Sequence, residues 1–446
     1  MEDPNLSSLP RRFFRLTGLN ILANVTVPLA GLVDTAMLGH LADIRFLAGA
    51  ALAVLLFEYL YWSCGFLRMA TTGTTAQARG RGDDPEVYRV LYRSLALGVA
   101  IGLAFLVLAW PIRELGFALL AGSGGVEAAG RDYFAARIWD APATLANFAL
   151  LGWFLGREES GRALALTLTA TLSNVVFNYG FIVYLGLAAF GSGLGTACNQ
   201  YLMLAVGIGF FLRSPGRVPF RWREVVDRER LRPLLHLNRD ILVRTLCLET
   251  AYALFSNWSA LSGTVVLAGN TLLLRLVLMA SYLVDGVAFA AESLAGTFFG
   301  QGDRAGLRRL TRLTLATGAG FAAAFVALFA LAPRAILGLL TSHGEVVASA
   351  LRYAPWLAPV ILAGAFAFLF DGLLLGLTQG RVLRNALLVS TLAVFLPLAL
   401  AGRFTGSVHV LWLALAAFMA ARALTLGQAS RWLLAERGET RGGSPP

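Results

Sequence analysis

Residues 71–83 read Thr71-Thr72-Gly73-Thr74-Thr75-Ala76-Gln77-Ala78-Arg79-Gly80-Arg81-Gly82-Asp83, and residues 291–303 read Ala291-Glu292-Ser293-Leu294-Ala295-Gly296-Thr297-Phe298-Phe299-Gly300-Gln301-Gly302-Asp303. Each stretch ends a long apolar run and closes on Gly-x-Gly-Asp. They lie roughly 220 residues apart, and the same offset relates Gly152, Leu155 and Gly156 to Gly372, Leu375 and Gly376. The chain is therefore read as two copies of one unit, a pattern that marks repeat-built transporters.

The runs themselves set the class. Of 446 residues, 57% are hydrophobic and 14% charged, outside the range of soluble domains. About twelve runs are long enough to cross a hydrocarbon core as helices. They fall at 16–40, 44–76, 92–112, 133–155, 163–185, 192–212, 240–261, 264–297, 311–332, 351–377, 385–402 and 408–433. The expected fold is an all-α membrane protein with twelve transmembrane helices in two pseudo-symmetric six-helix lobes. The lobes are expected at 1–212 and 240–433, joined by a cytoplasmic amphipathic linker at 213–239 and followed by a polar tail at 434–446. Six spans is an even number, so the two lobes enter the bilayer in the same orientation, related by an axis along its normal.

Charge gives the topology. Arg79, Arg81, Arg89 and Arg93 follow the second run, eight arginines lie between Arg213 and Arg239, and Arg304, Arg308, Arg309 and Arg312 follow the eighth. The connections near Gly186–Gly193 and Leu261–Thr264 carry none, so the positive-inside rule places both termini in the cytoplasm of a bacterial inner membrane. The net charge of +11 thus reflects topology and contact with anionic lipid rather than nucleic-acid binding. Within the linker, Phe220 to Leu235 mixes arginines with Val225, Val226, Leu231 and Leu234, a pattern expected of a basic helix lying on the membrane surface. Arg11, Arg12 and Arg15 precede the first run, which continues past Leu38 without a cleavage site and is read as an uncleaved span. Cys64, Cys198 and Cys247 sit in apolar runs without metal-ligand spacing and are expected to pack. Arg68 is expected to snorkel to the interface, and Trp62, Trp110, Trp139 and Trp153 to form an interfacial belt. His40, His236, His343 and His409 lie at span ends or in loops, never at metal spacing.

A charge at membrane depth costs several kcal/mol, so an acid there needs a partner or a task. Asp34 lies in Pro28-Leu29-Ala30-Gly31-Leu32-Val33-Asp34-Thr35-Ala36-Met37, downstream of a proline that permits a kink. Desolvation penalises its charged form, which is the chemistry of a proton-coupling site. Thr35 and Met37 are expected beside it in the cavity. Asn174 and Asn178 share a helix face, and with Asn147 and Thr196 they are candidates to surround Asp34 with neutral donors and acceptors. In the second half Glu249, Asp285, Glu292 and Asp371 are the intramembrane acids, with Glu249, Asp285 and Asp371 the candidate cation site. Carboxylates without an arginine would suit Na⁺; pairing with Arg244 or Arg275 would make the cluster a structural ion network. Both readings stand at this point.

No catalytic or metal motif is present, and there is no phosphate-binding G-x-x-x-x-G-K-[ST], since all 37 basic residues are arginine. An enzyme or an ATP-driven pump is therefore not expected, and no cofactor beyond a coupling ion.

Together, Val27-Pro28-Leu29-Ala30-Gly31-Leu32-Val33-Asp34-Thr35-Ala36, Leu67-Arg68-Met69-Ala70-Thr71-Thr72-Gly73-Thr74-Thr75-Ala76-Gln77-Ala78, Leu237-Asn238-Arg239-Asp240-Ile241, Asp285-Gly286-Val287-Ala288 and Phe370-Asp371-Gly372 resemble the multidrug and toxic compound extrusion (MATE) family, in its DNA-damage-inducible-protein-F-like branch. The resemblance implies two six-helix lobes forming a V-shaped cavity. It implies a monomeric antiporter exporting cationic or amphipathic drugs and toxicants against inward H⁺ or Na⁺, by alternating access. It also implies that Asp34 is the proton acceptor, whose protonation bends the first helix. Relatives often carry Asn-x-x-x-Asp on the fifth span; Asn178 replaces that acid here, leaving Asp34 as the one acid assigned to the first lobe's cavity and favouring H⁺. Na⁺ coupling through Glu249 and Asp371, and a flippase of lipid-linked precursors, are the alternatives the same superfamily offers.

Overall fold

A computed structural model describes residues 9–41, 43–120 and 123–436, and within these it is helical with short connections and no strand. The first half holds α1 (Leu9–Gly39), α2 (Arg45–Ser63), α3 (Phe66–Gly80), α4 (Asp84–Val107), α5 (Ala109–Leu119), α6 (Gly124–Arg137), α7 (Ala141–Gly156), α8 (Ser160–Asn178) and α9 (Ala188–Leu212). A four-residue α10 (Trp222–Val225) leads into α11 (Arg228–Ala260), α12 (Thr264–Gln301), α13 (Arg304–Leu331), α14 (Pro333–Leu340) and α15 (Gly344–Tyr353). The chain ends with α16 (Leu357–Gly376), α17 (Gly380–Val389), α18 (Leu396–Thr405) and α19 (Val408–Glu436). Among the described residues nine helical stretches are long and apolar enough to cross a membrane.

The 220-residue repeat is visible as matched local chemistry. Asp83 caps α4 by accepting from the Glu86 amide at 3.1 Å, and Asp303 caps α13 by accepting from the Gly306 amide at 2.8 Å. Gly82 and Gly302 both turn the chain at φ 72°. A Cβ on Gly152 would collide with the Arg68 carbonyl, and one on Gly372 with the Ala288 carbonyl, so α7 on α3 and α16 on α12 approach at the same register. Each half also contains one π-helical turn, Tyr179–Tyr184 after α8 and Ser390–Phe395 after α17.

Two compact units emerge. One comprises residues 22–235, the other residues 9–21 with 236–436. The division departs from the expected lobe ends in both directions, for reasons visible in the contacts. The start of α1 packs with the second unit, where a Cβ on Gly286 would strike Ile21. The first part of the linker is tied down on α4: Tyr92 donates to the Val218 carbonyl at 2.7 Å, Tyr88 to the Pro215 carbonyl, and Arg89 pairs with Glu224 at 2.6 Å.

The linker also departs from a surface helix over Phe220–Leu235. Trp222–Val225 form one short turn there, and from Arg228 the stretch already belongs to α11, the Asp227 carbonyl accepting from the Leu231 amide at 2.8 Å. α11 runs on through Pro233, in its second turn, into the span. Trp153 likewise leaves the expected belt. It is fully buried, donates to the Val87 carbonyl at 2.9 Å and packs edge-on or tilted against Tyr88, Phe154 and Phe211. Trp62, Trp110 and Trp139 are exposed, as a belt requires.

Candidate functional site

Asp34 lies in the C-terminal part of α1, past Pro28. The helix is continuous through that position; the proline's own side chain lies outside those described. The carboxyl is met by α8. Asn178, fully buried on the last turn, donates its amide hydrogen to Asp34 Oδ1, and Asn174, also buried, lies one turn earlier on the same helix face. Thr171 stitches the two helices further along by donating to the Thr26 carbonyl at 3.4 Å. The Asn178 side chain has its place because residue 195 is glycine: a Cβ there would overlap Asn178 Oδ1. The π turn begins at the next residue, Tyr179, and such turns are common where a side chain must be re-aimed at a functional site.

The other expected first-half residues are placed less directly. Asn147 is buried and gives its amide to the backbone carbonyl and the Oε1 of Gln200, at 2.9 and 3.0 Å. Thr196 donates back to the Ser192 carbonyl at 3.0 Å, and Thr35 to the Gly31 carbonyl at 2.8 Å. Met37 is half-buried. Thr35, Asn147 and Thr196 thus spend these hydrogen bonds locally or on Gln200, while Asn178 carries the contact with Asp34.

A second acid corrects the expectation that Asp34 stands alone. The apolar run from Tyr133 to Leu155 is broken by a 3₁₀ turn at Ile138–Asp140 ahead of Pro142, and that turn buries Asp140 completely. Tyr61 of α2 donates to Asp140 Oδ1. Arg137, one turn back, brings its Nε to 3.5 Å from Asp140 Oδ2 and donates through Nη1 to the Tyr133 hydroxyl at 2.9 Å. Its guanidinium sits over Phe57 at 4.6 Å, with Tyr61 and Tyr133 at 5.9 and 5.7 Å. Tyr61, Tyr133, Arg137 and Asp140 were not singled out from the sequence. The rule that singled out Asp34 would have found Arg137 and Asp140 had it been applied to every charge inside an apolar run.

In the second unit the candidate cation site resolves differently. Asp371 is buried and its Oδ2 accepts from Arg244 and, at 2.6 Å, from Arg422. Arg422 is fully buried, lies over Phe368 and Phe418 at 4.9 and 5.5 Å, and was not anticipated. Arg275 is exposed. Glu249 and Asp285 are half-buried and Glu292 fully so, yet no group of three or more acids, histidines or cysteines is gathered among the described residues into a set that could hold a metal ion. The ion-network alternative is the one realised at Asp371.

Outside the spans, Glu114 on α5 accepts from Arg131 at 2.7 and 2.9 Å and from Arg113 at 3.1 Å. The Arg131 hydrogen bonds, with Arg113 behind them, hold its carboxyl down to about 2.

The MatE family model matches residues 20–180 and again 242–401, one match per repeat. DNA damage-inducible protein F of Escherichia coli (strain K12) is 32% identical over 424 residues, covering 94% of this chain and 92% of its own. A probable multidrug resistance protein NorM of Rhizobium meliloti (strain 1021) is 28% identical, covering 76% and 73%. Among solved structures, a MATE protein in the bent conformation superposes with a TM-score of 0.87 over 95% of both chains at 18% identity. An outward-facing multidrug resistance MATE transporter of the MOP superfamily gives 0.84, also over 95% of both, at 17%.

Proposed function

We propose, from the premise that this chain belongs to the MatE family, that it is a secondary multidrug exporter that exchanges cationic or amphipathic small molecules for protons, with Asp34 as the proton acceptor. Members of the family are transporters and not enzymes, and the chain is one of them. What carries the proton reading is the bond from Asn178 to Asp34: the acid of α1 is held by a neutral amide, not by an arginine. An amide can face either protonation state without fixing it, whereas a guanidinium would lock the carboxylate.

Twelve spans follow if Leu9–Gly39, Gly124–Gly156 and Arg228–Ala260 cross the bilayer together with the nine apolar stretches. The arginine-rich connections then face the cytoplasm of a bacterial inner membrane, as do both termini. Alternating access would expose Asp34 to each side in turn. Na⁺ coupling through Glu249 and Asp371 has no comparable support, because two arginines already occupy Asp371 Oδ2. The flippase alternative expects arginines lining the cavity; Arg137 of the first unit is engaged with Asp140.

Purified protein in liposomes under an imposed pH gradient tests the reading. Asp34→Asn should abolish proton-driven ethidium movement while eluting and unfolding like the parent. Undiminished transport by this variant would remove Asp34 from the mechanism.

A further inference from the structure

The start of α19 is fastened twice, by bonds of different chemistry. Trp412, fully buried, donates its indole hydrogen to Asn270 Oδ1 on α12 at 3.0 Å, and the Asn270 amide donates in turn to Ser259 Oγ on α11 at 3.0 Å. No member of that chain titrates at ordinary pH. One turn earlier on α19, His409 meets the connection between α15 and α16, a 3₁₀ turn at Ala354–Trp356. The Trp356 indole donates to His409 Nδ1 at 3.1 Å, across 53 residues of sequence, and the Tyr353 ring is tilted against the imidazole at 4.9 Å. His409 is exposed and Trp356 half-buried, so protons reach the pair from solvent.

We infer that Trp356 and His409 form an acid-released latch, closed while the imidazole is neutral and open once it is protonated, which frees the entry of α16 and leaves the start of α19 in place. An indole nitrogen can only donate, so His409 Nδ1 must offer its lone pair and the ring carries its one hydrogen on Nε2. The imidazolium has a hydrogen on both nitrogens and no lone pair to accept with, so protonation sets two N–H groups against each other. The surroundings do not favour the closed form in acid. The aromatic face next to His409 is that of Tyr353, and the Arg352 guanidinium already lies over that ring at 5.9 Å. On α18 the charged group at this end is Arg403, over the Trp258 ring of α11 at 5.7 Å, and Glu345 at the start of α15 is exposed. Asp371 of α16, Arg381 and Arg384 of α17 and Arg422 of α19 lie towards the other end of these helices. The Trp412–Asn270–Ser259 chain is indifferent to pH and keeps α19 on α11 and α12 when the latch opens. With the C-terminus in the cytoplasm, the start of α19 faces the outside, from which the exchanged protons enter; that placement rests on the orientation proposed above, whereas the latch itself does not.

The full chain, labelled with ¹⁵N-tryptophan in lipid nanodiscs, gives one indole N–H signal per tryptophan, and Trp356→Phe identifies the one that matters. In the parent this signal should shift between about pH 8 and about pH 5, the range over which histidines change charge. His409→Asn places Oδ1 where Nδ1 stood, keeps an acceptor and cannot titrate, so its Trp356 signal should hold the parent's alkaline position at both pH values. His409→Phe keeps a ring against Tyr353 without an acceptor, and its signal should hold the parent's acid position at both. Amide exchange over residues 354–357, compared between parent and His409→Asn at the same pH, should be alike near about pH 8 and up to roughly fivefold faster in the parent in acid, the worth of one hydrogen bond. A Trp356 signal that does not move in the parent overturns the latch, and since that measurement uses the unmodified protein, a variant that fails to fold cannot obscure it. So does a signal that moves as far in His409→Asn as in the parent. Asp34→Asn should keep the shift in full; its loss there would assign the effect to the first unit's acid and overturn the latch. None of these readouts requires transport, so the latch and the exchange reading stand or fall separately.

Discussion

Asn178 gives its amide hydrogen to Asp34 across 144 residues of sequence, and Gly195 on α9 is what makes room for it. Adding one methyl at residue 195 would place a carbon where the Asn178 carbonyl oxygen lies. Overpacking of this kind typically costs about 1–3 kcal/mol and forces the displaced side chain off its rotamer. Gly195→Ala is therefore expected to slow proton-coupled transport about as much as Asn178→Ala does, with a modest fall in melting temperature. Equal transport by Gly195→Ala and the parent, measured side by side in liposomes, would mean that the Asn178 contact is dispensable.

Much of this was legible because membrane helices advertise themselves by length and because the Gly-x-Gly-Asp repeat is local. Gly152 and Gly372 could be matched from sequence, and the structure explains them as backbone contacts on Arg68 and Ala288. Asn174 and Asn178 were found by helical spacing alone. Arg137 and Asp140 are legible as charges three residues apart inside an apolar run, whereas the partners Tyr61 and, for Arg422, Asp371 come from helices far along the chain and no local pattern announces them. The linker differs from its expectation for a similar reason: its amphipathic pattern fits a surface helix, but Tyr88, Tyr92 and Arg89 of α4 tie its first part down and α11 absorbs the rest.

Glu114 offers a pH test away from the transport site. Its carboxyl is held down to about 2, from an ordinary 4.5, by Arg131 and Arg113. A depressed acid contributes stability that is fully present above its unfolded value and lost as pH falls through its folded value. The melting temperatures of the parent and Glu114→Gln should thus differ by a constant amount above about pH 4.5 and converge as pH approaches about 2. The gap should also shrink in high salt, because the pair is partly exposed. A gap that widens in acid would contradict the assignment.

Asp371 is expected to matter for folding more than for ion coupling. Asp371→Asn leaves Arg244 and Arg422 buried without their shared carboxylate, and breaking a buried pair in this way costs about 3–5 kcal/mol. The variant should melt well below the parent, and added sodium should protect neither. Sodium that raises the melting temperature of the parent but not of Asp371→Asn would reinstate this carboxylate as a cation ligand.

Pro28 tests how protonation of Asp34 is turned into movement. A proline inside a helix withholds one backbone hydrogen bond and so lowers the cost of bending there, six residues before the acid and on the same helix. An ionised Asp34 keeps its need for water and hydrogen bonds, whereas the neutral acid loses much of it and leaves the helix freer to bend about Pro28. Bending would narrow the cavity and push substrate outward. Pro28→Ala restores the missing donor and should stiffen the helix, reducing transport without removing the titrating group. Structures of the parent near about pH 5 and about pH 8 should then differ in the path of α1 beyond residue 28, and structures of Pro28→Ala should not. Identical first-helix geometry at both pH values, in protein shown to transport, would place the coupling movement elsewhere in the fold.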